Sequence, residues 1–252
     1  MIHLFRKRYN SIALTKLLFS VTFFLLLALS INGQNGKIDK RQVDFDADTI
    51  FIRANPDSPK AVSLLNFHYS SLPYDYVLEC FEKLNTRFSN NGDFEELKNK
   101  VVLGNLTKMG TKLNSFSFKT DHGSNSNLEN TLKTHKLLLL DFWASWCAPC
   151  RSNVNNLKKI YSKYNSKGFA ILSISIEDKI DEWKKAIDIE NIEYFYHGLD
   201  DSKKSIQTQL GIFAIPTYIL LDQEMKVVGK FNSRWKGQSD LEDFIKEYFK
   251  KY

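Results

Sequence analysis

The sequence predicts an α/β domain preceded by a small helical segment, and three observations carry that prediction. From about Gly110 onward, short β-rich runs alternate with helical patterns, as in a sheet with helices packed on it. One run, Leu137 to Trp143, is apolar throughout except for Asp141, the pattern of a strand covered on both faces. Between Ser58 and Gly104, in contrast, apolar residues recur at the three- and four-residue spacing of helices.

A targeting pattern precedes these elements. Arg6, Lys7, Arg8 and Lys16 stand before the 15-residue apolar stretch Leu17 to Ile31, and no acid occurs before Asp39. Basic residues followed by an apolar stretch of this length fit a secretory signal peptide over residues 1–33, cleaved after Ser30 or Gly33. The alternative is an inner-membrane anchor over residues 17–31, although a spanning helix usually needs about 20 apolar residues. No cysteine lies near the junction, which argues against a lipoprotein. The net charge of +6 falls to +2 once these four charges leave, so the basic balance gives no reason to expect a nucleic-acid partner. With 43% apolar residues and 13% aromatics the chain can bury a sizeable core. The organisation expected is signal peptide 1–33, helical extension 34–109 and α/β domain 110–252.

Taken in order, residues 34–53 are polar with a β-like run at Thr49-Ile50-Phe51-Ile52. Ser58-Pro59 starts a helix, Ser as N-cap and Pro at N1, with Ala61, Leu64, Leu65 and His68 on one face. Pro73 opens a second helix with Val77, Cys80, Phe81, Leu84 and Phe88 in helical spacing. Asn90-Asn91-Gly92 ends it, and Phe94, Leu97 and Val101 mark a third helix that stops near Gly104. About 50 residues make a poor free-standing core, so this module is expected to pack on the α/β domain.

In the second part, Phe116 and Phe118 mark a short strand and Asp121-His122-Gly123 a turn. After the strand 137–143 come a helix over 149–164, a buried strand from Phe169 to Ile176 and a helix from Asp178 to Ile187 carrying Trp183. Ser202 caps a further helix ending before Gly211, and Thr217 to Leu221 forms a strand that turns at Asp222 to Met225 into Lys226 to Phe231. Ser239-x-x-Glu242 is a capping box for a last helix with Leu241, Phe244, Ile245 and Phe249 inward.

The chemistry centres on Trp146-Cys147-Ala148-Pro149-Cys150, directly after the apolar strand. Two thiols at a helix N-terminus sit where the dipole and free N–H groups stabilise a thiolate, and such sites have pKa values of about 7 or below. Cys147 reads as the exposed nucleophile, and Cys150, one turn in, as the resolving thiol. A structural zinc half-site would need two more ligands at matching spacing, but only Cys80 and scattered histidines remain. No metal and no cofactor beyond the redox-active pair is expected. Asp141 is a carboxylate in an apolar run, with a raised pKa; it is either a satisfied core group or the proton acceptor for Cys150. Glu177 either tunes the dithiol or ends its strand in solvent, with Asp178 as helix N-cap. Cys80 is expected to be a small core residue and His197 a surface or packing residue.

Asp141-Phe142-Trp143-Ala144-x-Trp146-Cys147-x-Pro149-Cys150-Arg151, followed about 65 residues later by Ile215-Pro216-Thr217, resembles thioredoxin-fold proteins. The signal peptide and the insertion before Pro216 resemble the exported TlpA/ResA-like branch, and the upstream helices resemble the extension of Bacteroidetes-type members. The resemblance covers residues 110–252 well and 50–109 loosely. It implies a thioredoxin-like fold, a central mixed sheet flanked by helices. It further implies a periplasmic thiol-disulfide oxidoreductase in which Cys147 attacks, Cys150 resolves and Asp141 matches the buried acid.

On the same grounds Glu177 matches an acid of ResA-like members, and Pro216 is a cis-proline facing the disulfide. Trp146, Pro149, Ile215 and Thr217 would contact the substrate. Protein thiol or disulfide substrates and a membrane electron donor are the implied partners, with reduction as the direction. A disulfide oxidase or isomerase, or a module that binds thiol clients or apocytochromes, is the alternative. Asn153 and Asn155 stand where relatives commonly carry Glu and a kinking Pro, which implies a straighter helix.

Overall fold

The computed structural model describes residues 40–84, 88, 91–177, 179–200, 205–232 and 238–252. The expected signal peptide, Asp178, Ser202 and the Ser239 side chain lie outside the described residues. Two compact units are present, residues 1–47 and 48–252; the described part of the first is the opening of helix α1.

That helix, α1 (Lys40–Ala54), replaces the β-like run expected at Thr49 to Ile52. In a strand Ile50 and Ile52 would share a face; here Ile50 is 65% exposed and Ile52 2%, the separation a helical turn imposes. Burial of one helical face outweighs the β preference of branched residues. Helix α2 (Pro59–His68) has Ser58 at its N-cap and Pro59 at N1 as expected, although the Ser58 side chain makes no capping bond. Its buried residues are Ala61, Val62, Leu65, Asn66 and His68, with Leu64 only half-buried. His68 Nε2 lies 2.8 Å from Asp48 Oδ2, which ties α2 to α1.

Helix α3 (Tyr74–Lys83) is shorter than its apolar spacing implied: Leu84 is buried from an extended C-cap, and Phe88 falls beyond the end. Helix α4 (Gly92–Gly104) begins at Asn91, whose side chain accepts from the Asp93 and Phe94 N–H groups at 2.8 and 3.3 Å. These helices close onto the following domain at Gly211, whose φ of +58° and contact with the Leu103 carbonyl leave no room for a Cβ. Thr107 Oγ donates to the Leu210 carbonyl at 3.1 Å, and Asn232 Nδ2 to that of Ser70 at 2.6 Å.

Seven strands form one mixed sheet in the order β2-β1-β5-β4-β3-β6-β7. They are β1 (Ser117–Lys119), β2 (Asn125–Asn127), β3 (Leu137–Trp143), β4 (Phe169–Ser175), β5 (Tyr196–Leu199), β6 (Thr217–Asp222) and β7 (Val227–Asn232). β3 runs parallel to β4 and antiparallel to β6, and all seven of its residues are buried.

The helices of this part are α5 (Leu128–Leu132), α6 (Ala148–Tyr164), α7 (Ile180–Glu190), α8 (Ser205–Leu210) and α9 (Gln238–Lys251). One face of the sheet packs on α6, α7 and α9 through Leu157, Trp183 and Ile245, the other on α5 and α8 through Leu132 and Ile206. Two covered faces are why β3 reads as an unbroken apolar run. Helix α6 is continuous over its 17 residues, in keeping with Asn rather than Pro at position 155.

Candidate active site

The site is built where β3 ends. The chain leaves Trp143, turns through Ala144 and Ser145, and enters α6 with Cys147 as its N-cap and Pro149 in the first turn, where the missing N–H costs nothing. Cys147 and Cys150 are joined by a disulfide, and the Cys150 N–H donates to Cys147 Sγ at 3.3 Å. Cys147 is not the exposed member of the pair that the motif implies. Cys147 is 4% exposed, as buried as Cys150 at 3%, because its sulfur is bonded inward and packs with the core cluster that Ile215 joins. The exposed residues of the motif are Trp146, at 67%, Ala148 and Pro149.

The distant segment arrives by strand register. Phe142 pairs with Thr217 across β3 and β6, so one step further sets Pro216 against the end of β3, where the cysteine loop begins. The Ile215–Pro216 bond is cis, Pro216 and Thr217 are buried, and Thr217 Oγ donates to the Ala214 carbonyl at 2.7 Å.

Asp141 lies on the cysteine side of the sheet. Residues alternate between faces along a strand, and Leu139 and Trp143 belong to the same core cluster as both cysteines. Its neighbours across the ladders are Ser173 on β4 and Tyr218 on β6. Ser173 Oγ donates to Asp141 Oδ2 at 2.8 Å. Burial drives the Asp141 carboxyl from 3.8 up to about 7, against the opposing pull of the Ser173 hydrogen bond. Burial first, and then the Asp141 charge, also push the Tyr218 phenol upward. Asn153, one turn after Cys150 on α6, donates from Nδ2 to the Tyr218 hydroxyl at 2.6 Å.

Glu177 is not a solvated strand end. It is 4% exposed, and its carboxylate accepts from the Ser145 N–H at 3.1 Å and the Ser145 hydroxyl at 2.6 Å, two residues before Cys147. It therefore fixes the loop that carries Trp146. Beside it a groove of about 530 Å³ opens between Trp146, Arg151 and the α7 residues Glu182, Lys185 and Ile189. Arg151 Nε donates to Glu190 Oε1 at 2.6 Å, which locks α6 to the end of α7.

The expected site residues Cys147, Cys150, Asp141, Trp146, Pro149, Ile215, Pro216, Thr217 and Glu177 thus gather around the C-terminal end of β3. Sequence reasoning missed Ser145, Ser173 and Tyr218, and treated Asn153 only as a departure from a pattern. The signal for Ser173 and Tyr218 was a polar group at a face-matched position of an otherwise apolar strand. Cys80 is a buried helix residue, and His197 is buried with Nε2 2.8 Å from the Ile192 carbonyl, a packing role.

Residues 134–227 match the family model described as Thioredoxin-like. The chain is 29% identical over 119 residues to the thiol-disulfide oxidoreductase ResA of Bacillus thuringiensis subsp. konkukian, an alignment spanning 46% of this chain and 63% of that protein. It thus spans less than two thirds of the length of that relative. A thiol:disulfide interchange protein from Bacteroides sp. has a solved structure that is 25% identical with a TM-score of 0.50, covering 57% of this chain and 92% of that one. A thioredoxin-like protein from Bacteroides caccae shares the fold over more of the molecule: TM-score 0.62, 87% of this chain and 89% of that one, at 18% identity. That likeness of fold reaches into the helices before the sheet.

Proposed function

Because the chain carries a thioredoxin-like domain around Cys147 and Cys150, we propose that it is a thiol-disulfide oxidoreductase that works as a reductant of protein disulfides. The observation that carries the reading is the disulfide-bonded Cys147–Cys150 pair at the head of α6, in a site that also holds cis-Pro216 and buried Asp141.

In the reduced protein the Cys147 thiolate, stabilised by the N–H groups and dipole of α6, attacks one sulfur of a client disulfide. A mixed disulfide forms, and the first client thiolate leaves and takes up a proton. Asp141 then accepts the proton of Cys150, whose thiolate attacks Cys147 Sγ and releases the second client thiolate. Two electrons pass to the client, and the protein is left with the Cys147–Cys150 disulfide. A dithiol donor must return those electrons; for an exported protein that donor is a membrane protein facing the same compartment. Trp146, Pro149 and the Ile215–Thr217 segment supply the client surface, and Glu177 holds their loop through Ser145. Export through residues 1–33 belongs to the same reading, resting on the basic and apolar order of that stretch.

Two measurements test it. Wild type should reduce insulin disulfides in the presence of dithiothreitol, Cys147→Ser should not, and Cys150→Ser should accumulate a mixed disulfide. Equal activity in wild type and Cys147→Ser would leave a client-binding module as the better reading. The reduction potential decides direction: a value near thioredoxin's, about −270 mV, supports a reductant, and one near about −120 mV would make the protein an oxidant.

A further inference from the structure

The thiol-exchange steps leave one buried pair without a task. Asn153 and Tyr218 are each 4% exposed, and their hydrogen bond runs from α6, the helix bearing both cysteines, to β6. Tyr218 is the cross-strand partner of Asp141 on the same face. Directly opposed Cβ atoms lie only about 4.5–5.5 Å apart, so a phenol reaching from β6 to α6 passes its ring alongside the carboxyl.

We propose that Asn153 and Tyr218 are positioning residues for Asp141: the amide tethers the phenol, and the tethered ring keeps water from the carboxyl. The groups facing Asp141 leave hydration as the variable to control. Among the described residues, the same side of the sheet holds Ser173 and Ser175 from β4, Tyr218 from β6, Cys147, Cys150 and Asn153 from α6, and the apolar Trp183, Leu241 and Ile245 from α7 and α9. None of these carries a fixed charge, and Glu177, beyond the end of β4, is engaged by Ser145. A buried carboxyl with no charged neighbour keeps a high proton affinity only while it stays dry. Asn at position 153, rather than an apolar residue, is then explained by the hydroxyl it has to hold.

The proposal rests on the assignment of Asp141 as proton acceptor, but its test does not require catalysis. The carboxyl carbon of Asp141 is followed by ¹³C NMR across pH in the oxidised protein, in wild type, Asn153→Ala and Tyr218→Phe. Both variants should lower the midpoint from its wild-type value, Asn153→Ala by about one pH unit and Tyr218→Phe by less. An unchanged midpoint in Asn153→Ala would overturn the proposal. So would a rise in Tyr218→Phe, since that would make the hydroxyl a donor to the carboxylate. Tyr218→Phe is nearly isosteric and carries the test if Asn153→Ala fails to fold. Should the midpoints shift while Asp141→Asn reduces insulin normally, the tether stands and the proton-acceptor reading falls.

Discussion

The two faces of β3 are equally buried but chemically unlike. One presents Leu138, Leu140 and Phe142 to a largely apolar layer that includes Leu128, Leu132 and Ile206. The other presents Leu137, Leu139 and Trp143, but sets Asp141 among them, flanked by Ser173 and Tyr218 and covered by the helix of Cys147 and Cys150. An apolar face needs only packing to be stable. A face with a buried carboxyl loses stability to desolvation, and a protein keeps such a group where its proton is of use. The contrast separates the half of the sheet that holds the fold from the half that works.

The largest effect belongs to the apolar face. Leu140→Ala removes a side chain with no exposure and should lower unfolding free energy by about 2–5 kcal/mol in urea denaturation, while activity per folded molecule stays at the wild-type level. A loss of turnover in fully folded Leu140→Ala protein would break the division between faces.

Asp141→Asn comes next. The wild-type carboxyl has a folded pKa of about 7 against an ordinary 3.8, so the folded state holds its proton more tightly than the unfolded chain. That contribution is complete below the unfolded value and is lost as pH rises through about 7, so wild-type stability should fall across that window. The fall is on the order of 4 kcal/mol, and Asp141→Asn should flatten it in urea melts taken at several pH values. The smallest effect is that of Ser173→Ala, which removes the hydrogen bond that lowers the Asp141 pKa. It should cost about 1 kcal/mol and move the Asp141 midpoint upward in an NMR titration.

Much of this was legible from residue order. Leu137 to Trp143 declares a strand because both its faces are buried, and Trp146 to Cys150 points to the proposed redox site because two thiols at a helix head have few other uses. Less legible were β2, whose Asn-Ser-Asn owes its conformation to pairing with β1, and β5, whose Tyr-His-Gly-Leu lacks an apolar run. The helix at residues 40–54 was hidden by branched residues whose helical state follows from burial on one side. Within the site, Asp141 was visible as an acid in an apolar run. Its partners were not, since Tyr218 meets it only through the β3–β6 register and Asn153 reaches Tyr218 only through the fold.

The most direct test of the working face is the pH dependence of mixed-disulfide resolution. A client disulfide is mixed with reduced protein, and intramolecular attack by Cys150 is followed by rapid quench from about pH 6 to about pH 9 in wild type and Asp141→Asn. The account predicts a wild-type rate with an inflection near the Asp141 pKa, and a slower Asp141→Asn rate from which that inflection is missing. Superimposable profiles would show that Cys150 loses its proton without Asp141, and would contradict the account.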